Sequence, residues 1–396
     1  MDQFKLKKIT ISGIGGITEL AILFNKGLNL ICGTNGIGKT TILECIAHAF
    51  IKNSTQKLKK NVNYPEGKCT IDYSDGNNDT KQVSYTLSHF KPIGQTDFLN
   101  RLSGKSNCVL YFTPQRNIVY KELQSLAKDP ERGADITAGV AYSGVSADDE
   151  KNWFVQRFMW SAHQNVLQPE QINNFNKAKD CFNLLDKEVR FSKVIPDTYD
   201  IMVNTPQGEV YFEYLSAGYK SCIYILLGII KEIEYRFKNP YINVQDFAGI
   251  ILIDEIDVHL HPQWQKSLVV SLKALIPNAQ IVATTHSPSM IQCAEPNEII
   301  ALQYNENREM IVTNFGSEKY GFQGWTLEEI LTDVMGMSTI RSDVYSEKMK
   351  EFESAINEDD GHKAEAAYNE LVLMLNPKNH LRKILELQIA GLKGHD

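Results

Sequence analysis

Three clusters of residues in this chain have the types and spacing to handle a nucleotide. Gly33-Thr34-Asn35-Gly36-Ile37-Gly38-Lys39-Thr40 satisfies the spacing GxxxxGK[ST]. Glycines so placed let consecutive backbone N–H groups curl around phosphate oxygens, and a helix starting there adds partial positive charge. Gly33, Asn35, Gly36, Gly38 and Thr41 then belong to the cradle, Lys39 reaches the terminal phosphates, and the Thr40 hydroxyl coordinates Mg²⁺. Far downstream, the apolar run Gly249 to Ile253 ends in Asp254-Glu255. An aspartate ending a strand buried on both faces can hold Mg²⁺, and the next glutamate can polarise a water for attack on a γ-phosphate. Between these lies Leu215-Ser216-Ala217-Gly218-Tyr219, ahead of an apolar stretch. Ser216 and Gly218 there offer donors to a γ-phosphate supplied by another subunit, or Ser216 is an ordinary helix N-cap.

The elements that must position these groups follow from local pattern. Leu6 to Ile11, Ala21 to Phe24 and Leu28 to Cys32 read as strands separated by Gly-rich turns. Thr40 to Phe50 carries Ile42, Ile46 and Ala49 at helical spacing, so one face packs on a sheet. Cys69 to Tyr73 and Gln82 to Leu87 flank the turn Ser74-Asp75-Gly76-Asn77-Asn78, a hairpin. Further strands are expected at Val109 to Phe112, Ile281 to Thr284, Glu298 to Gln303 and Met310 to Thr313. Residues 117–210 form an insertion. It is loop-like through Asp149, helical from Trp153 to Phe191, and ends in a hairpin, Asp200 to Val203 with Glu209 to Phe212. It lacks sustained heptads, which excludes a long coiled-coil arm.

Composition excludes several classes. The 396 residues are 43% hydrophobic, as a folded chain requires, and the formal charge of -7 argues against indiscriminate nucleic-acid binding by the whole surface. Seven scattered cysteines, none at CxxC spacing, fit neither a disulfide framework nor structural zinc, and suit a reducing cytoplasm. The first residues carry no apolar signal run, and Cys222 to Ile230 falls far short of the ~20 apolar residues that span a bilayer, so no membrane partner is expected. His259-Leu260-His261 has no Cys or third His nearby and is not read as a metal site.

The order of the three clusters resembles the ABC-type ATPases, in a compact form of the RecF/SMC-like branch, near the group found in bacterial anti-phage systems such as Septu. The resemblance covers roughly Lys5 to Asn314 apart from the insertion. It implies an α/β fold: a P-loop ATPase head (1–316) with a mixed sheet flanked by helices, a mainly helical insertion, and a helical appendage over 317–396. Leu215 to Tyr219 corresponds to the signature motif, with Ala217 and Tyr219 as departures. Gln115 matches the glutamine that senses Mg²⁺ and the attacking water, and His286 matches the histidine that contacts the γ-phosphate. With Glu255 they form the implied catalytic set, and Thr40, Asp254 and Gln115 the implied metal set. Arg116 is an adjacent candidate for a phosphate or partner contact. Asp257 to Pro262 resembles the variant loop of RecF-like and OLD-like ATPases, with His261 near the place of the usual aspartate.

In that family the loop and the signature meet only across a dimer. The resemblance therefore implies ATP and Mg²⁺ as cofactors and a homodimer or higher oligomer closing around ATP. Neither a zinc hook nor a fused nuclease module is present, which points to a separately encoded effector, a nuclease or toxin, in anti-phage defence. The alternative is a DNA-repair ATPase acting without an effector. DNA is a possible partner: Lys5, Lys7, Lys8, Lys52, Lys57, Lys59 and Lys60 could pair with its phosphates, or be solvated surface lysines. Beyond Ser317, a capping box at Thr326 to Glu329 opens a helix, and Ser346 to Ile356 and Lys363 to Leu375 read as two more. Met349, Phe352 and Ile356 form an apolar stripe that serves either docking or the chain's own core.

Overall fold

The computed structural model describes residues 3–52, 57–76, 79–92, 102–116, 118–315, 320–337 and 341–392. The fully apolar stretches pair first. Strands β3 (Leu28–Gly33), β6 (Val109–Phe112), β10 (Ile250–Ile253), β11 (Gln280–Thr284) and β12 (Ile299–Tyr304) run parallel, and β13 (Met310–Thr313) closes one edge antiparallel. Their order is β13-β12-β3-β11-β10-β6. Every residue of β3, β6, β10 and β11 is buried, as strands covered on both faces must be.

A second sheet, wholly antiparallel, has the order β2-β1-β4-β5, from β1 (Phe4–Ile14), β2 (Ile17–Leu23), β4 (Gly67–Asp75) and β5 (Lys81–Leu87). One face of the six-stranded sheet and the inner face of this one enclose helix α1 (Lys39–His48) in a shared core. The end of the turn between β4 and β5 expected at Ser74 to Asn78 lies outside the described residues.

The other face carries the long helix α5 (Ala217–Arg236) and most of the insertion. Helix α2 (Ala134–Ser143) forms where a loop was expected, because Ala138 and Ala141 bury a close-packing face despite the surrounding glycines. Helices α3 (Glu150–Ser161) and α4 (Pro169–Asp180) follow. The expected hairpin is β8 (Ile201–Thr205) with β9 (Gly208–Tyr211), and it gains a third strand, β7 (Arg190–Val194), at the end of the stretch read as helical. Helices α6 (Pro262–Leu275) and α7 (Pro288–Cys293) complete this side.

The chain divides into two compact units, Met1–Gly336 and Met337–Asp396. Residues 320–336 pack on the first unit: Phe322, Ile330, Val334 and Met335 bury against Cys32, Ile291 and Ala301. The capping box at Thr326 opens α8 (Leu327–Glu329), which runs directly into a π turn (Ile330–Val334). The appendage expected from residue 317 thus begins as part of the head. The second unit is a three-helix unit, α9 (Asp343–Asn357), α10 (Gly361–Met374) and α11 (Leu381–Leu392), with its own core. Met349, Phe352 and Ile356 face that core, not solvent. Its exposed apolar residues are Val344, Leu373, Met374, Ile384 and Leu387. Among the described residues no helix is long and apolar enough to cross a membrane.

Candidate functional site

Because the sheet's core strands are parallel, their C-terminal ends share one edge, and the chemistry collects there. The turn from β3 to α1 begins at Gly33, whose missing Cβ lets it approach the Leu302 carbonyl: an added Cβ would stand 2.5 Å from that oxygen. It ends at Gly38, the α1 N-cap, at φ 101 and with no side-chain cap. The first N–H groups of α1 are therefore left to an anion. The Lys39 ammonium is buried and donates to the Gly33 and Thr34 carbonyls at 2.9 Å each, holding the loop curled around it.

Opposite Lys39, the Thr40 hydroxyl lies 3.1 and 3.0 Å from the two Asp254 carboxylate oxygens. Thr284 contributes twice: its hydroxyl donates to Asp254 Oδ1 at 2.6 Å and accepts from the Glu255 N–H at 2.7 Å. This pairing fixes the carboxylate that faces Thr40 and the backbone that carries Glu255. Glu255 itself has φ 47, a conformation that costs a non-glycine residue roughly 1–3 kcal/mol. Two residues on, the Asp257 carboxylate accepts from the His286 N–H at 3.1 Å. Burial, with Lys39 adding to it, pushes the His286 imidazole below its ordinary value, so at neutral pH it is uncharged.

Asn35, Gly36, Gly38, Lys39, Thr40, Thr41, Glu255, Asp257, Val258 and His286 line one open cleft of about 670 Å³. This gathers the phosphate loop, the acid and the histidine foreseen from sequence. Asp257, named from sequence only as the start of a loop, also lines it, and Thr284, given no role from sequence, supports it from behind through Asp254. The signal for Thr284 was its place at the end of β11, one strand over from Asp254. The hard oxygens of Thr40 and Asp254 suit Mg²⁺, which keeps several of its own waters and needs few protein ligands.

Three expected participants stand elsewhere. Gln115 lies on the loop after β6, at the same sheet edge, but is exposed and outside the cleft lining. Arg116 is 4% exposed and points inward to backbone carbonyls, so it is neither a phosphate contact nor a partner contact. Ser216 caps α5, its hydroxyl accepting from the Tyr219 N–H at 3.3 Å, and remains exposed outside the cleft lining. Gly218 permits a tight fit behind it: a Cβ there would meet the His259 carbonyl oxygen at 2.4 Å. Tyr219 and Trp264 stack edge to face at 5.7 Å alongside. The signature turn is thus packed on the loop that follows Glu255. His259 is part of that packing, and the His261 ring caps α6 by accepting from the Gln263 N–H.

A family model described as "AAA domain, putative AbiEii toxin, Type IV TA system" matches residues 28–291, the span from β3 to α7. A "Septu protein PtuA" of Bacillus thuringiensis is 49% identical over 386 residues, which cover 97% of this chain and 98% of that one. The chain belongs to the Septu PtuA family. A longer PtuA of Bacillus mycoides is 27% identical over 83% of this chain and 44% of its own length. The "Retron Ec83 probable ATPase" of Escherichia coli is 23% identical over 76% of this chain and 72% of that one. The relatives thus include an AAA-domain family and a retron probable ATPase, and the α/β head expected from the motif order is the fold observed.

The lysines considered for DNA are mostly engaged within the chain. Lys5 is buried and donates to the Lys26 and Asn278 carbonyls, and Lys7 donates to Thr80. Lys52 pairs with Asp135 at 2.8 Å, Lys57 donates to the Tyr142 carbonyl, and Lys60 to that of Tyr64. A phosphate backbone would have to displace these partners.

Proposed function

We propose that this chain hydrolyses ATP in a homodimer that closes over nucleotide, and that closure regulates a separately encoded effector of the nuclease or toxin class. One observation carries the dimer. The cleft lining includes Lys39, Thr40, Glu255 and His286 but not the signature turn, and Ser216 is exposed outside it. A γ-phosphate in this cleft therefore takes its signature contact from a second copy. Within one copy, the α1 N-terminus and Lys39 bind the phosphates, and Thr40 with Asp254 would hold Mg²⁺. Mg²⁺, when bound, neutralises phosphate charge. Glu255 accepts a proton from the attacking water, and neutral His286 donates toward the γ-phosphate.

The test uses two full-length variants with opposite effects. Glu255→Gln keeps the side-chain shape but cannot take the proton, so ATP and Mg²⁺ should trap closed dimers. Ser216→Arg places bulk and charge at the partner's γ-phosphate and should keep copies open at unchanged ATP affinity. Light scattering and nucleotide off-rates read both, and a Glu255→Gln protein that releases ATP as fast as wild type would sink the closure.

The helical unit beyond Gly336 supports an effector-docking role through its exposed Leu373, Met374, Ile384 and Leu387. Deleting residues 343–396 should leave ATP binding intact and abolish co-purification with an effector encoded beside this chain. Full retention of that effector by a soluble truncation would shift docking to the insertion. A DNA-repair ATPase without an effector is the competing reading. It predicts DNA-stimulated turnover in the isolated protein.

A further inference from the structure

The geometry points to Arg116 as a positioning residue for hydrolysis: it grips the backbone on both sides of Glu255 and ties it to the loop that carries Gln115. Arg116 Nη2 donates to the Asp254 carbonyl and Nη1 to the Ile256 carbonyl at 3.5 Å, so the guanidinium brackets Glu255. Nε donates to the Thr113 carbonyl at 3.1 Å, which anchors the same fork to the loop after β6. The Asp254 N–H donates to the Phe112 carbonyl at 2.8 Å, joining the two strand ends next to this clamp.

Two features give the clamp a purpose beyond packing. First, Glu255 is held at positive φ, where a non-glycine residue does not rest unless its surroundings fix it. Arg116 holds the carbonyls of the residues on either side of Glu255, namely Asp254 and Ile256, and so limits how the backbone at Glu255 can turn. Second, the guanidinium has no ion-paired carboxylate among the described residues, although it is almost wholly buried. A buried cation spends its donors on backbone only where the planar fork matches carbonyls that must be kept in place. Burial lowers its pKa to about 10, which leaves it charged at neutral pH. Because Gln115 is the adjacent residue, a shift of that loop moves the fork, and with it the backbone of Glu255. Arg116 touches neither nucleotide nor water in this scheme, and it acts through Glu255.

This inference rests on the ATPase reading above, and the experiment separates the two. Arg116→Met and Arg116→Lys are made in the full chain. Equilibrium binding of a fluorescent ATP analogue is measured together with steady-state turnover and thermal midpoint. Arg116→Met should keep nucleotide affinity within about twofold while kcat falls by about tenfold or more, the split expected when an interaction needed only for the chemical step is lost. Arg116→Lys, which keeps the charge but not the fork, should recover part of that kcat. In a Glu255→Gln background, Arg116→Met should reduce residual turnover no further. Wild-type kcat in folded Arg116→Met would overturn the assignment. So would an affinity loss equal to the kcat loss, or additive losses in the double variant. If Arg116→Met does not fold, Arg116→Lys alone decides: unchanged kcat overturns the clamp, and reduced kcat at unchanged affinity supports it. Absence of turnover in wild type would instead defeat the ATPase reading.

Discussion

Helices α1 and α5 each start at a turn of the nucleotide machinery, yet they are embedded in opposite ways. Around α1 the core is apolar: Ile42, Leu43, Cys45 and Ile46 pack against Ile9, Ile11, Ile71 and Tyr85. Apart from Lys39 at its start, its buried polar member is His48, whose two ring nitrogens have no hydrogen-bond partner among the described residues. Around α5 the core contains ions. Lys231, Glu232, Glu234 and Arg236 are all 1% or less exposed at the side chain; the first three pair with residues outside the helix, and Arg236 pairs with Glu232 one turn back. Glu234 accepts from Arg157 at 2.7 Å and from Trp153 at 3.0 Å, Glu232 accepts from Arg132 at 2.9 Å, and Lys231 binds Asp149. Arg157 also reaches Asp129 at 2.6 Å. The pairs strap α5 to the segment that leads away from Gln115. An apolar core tolerates small sliding, whereas a buried ion pair has one satisfactory geometry. On the proposed function, the cradle around α1 needs only to be firm, while α5 must be set at one orientation relative to the loop that carries Gln115.

Breaking the strap should have the largest effect. Arg157→Met removes one partner and leaves Glu234 buried and uncompensated, a change that costs about 3–5 kcal/mol. Chemical denaturation should show that loss. A shift below about 1 kcal/mol would mean that the pair is replaceable by packing and that the two cores do not differ in kind.

Breaking the apolar side takes acid instead. Burial lowers the His48 pKa to about 4, against an ordinary value of 6.5. Between those values the unfolded chain binds the proton and the folded one does not, so stability rises with pH across that window and is lost as pH falls. The full span amounts to about 3 kcal/mol. His48→Leu removes the titration and two unpartnered nitrogens. The difference in unfolding free energy between variant and wild type should therefore grow in the variant's favour from pH 6.5 down to pH 4. A pH-independent difference would show that His48 is solvated in the folded chain.

The contrast also marks what could be read from the residues. The cradle was legible because a local pattern dictates it: GxxxxGK requires a strand before and a helix after, and β3 and α1 are where that demands. The all-apolar run before Asp254 likewise fixed β10 as a central strand. Around α5 the determinants are pairs far apart in sequence, such as Arg157 with Glu234, and no spacing announces them. Arg116 was misread for the same reason. Its neighbour Gln115 suggested phosphate, while the carbonyls it holds belong to a strand more than a hundred residues away. Strand β7 was hidden in Arg190-Phe191-Ser192-Lys193-Val194, too short an alternation to stand out from the helical stretch before it. Helix α11 falls within the helical appendage expected over 317–396 but is not separately foreseen there, although Leu381, Leu385 and Ile389 recur at four-residue spacing.

The smallest effect sharpens the comparison by its sign. Glu150, at the start of α3, is buried with neither carboxylate oxygen hydrogen-bonded among the described residues, and it lies against Gly228 of α5, where an added Cβ would stand 3.2 Å from Oε1. Burial raises its pKa well above the ordinary value, with Lys231 pulling it back and Asp149 and Glu232 adding to the rise. Here the folded chain holds the proton that the unfolded chain releases. The contribution to stability is therefore full below the unfolded pKa and is lost as pH rises toward the folded one, the reverse of His48. Glu150→Gln keeps the shape and removes the titration, so its stability relative to wild type should climb from pH 5 to pH 8. A buried amide left short of partners offsets part of that gain. Denaturation midpoints at the two pH values decide the matter. A gain toward acid, or none, would mean that Glu150 is ionised and paired with Lys231.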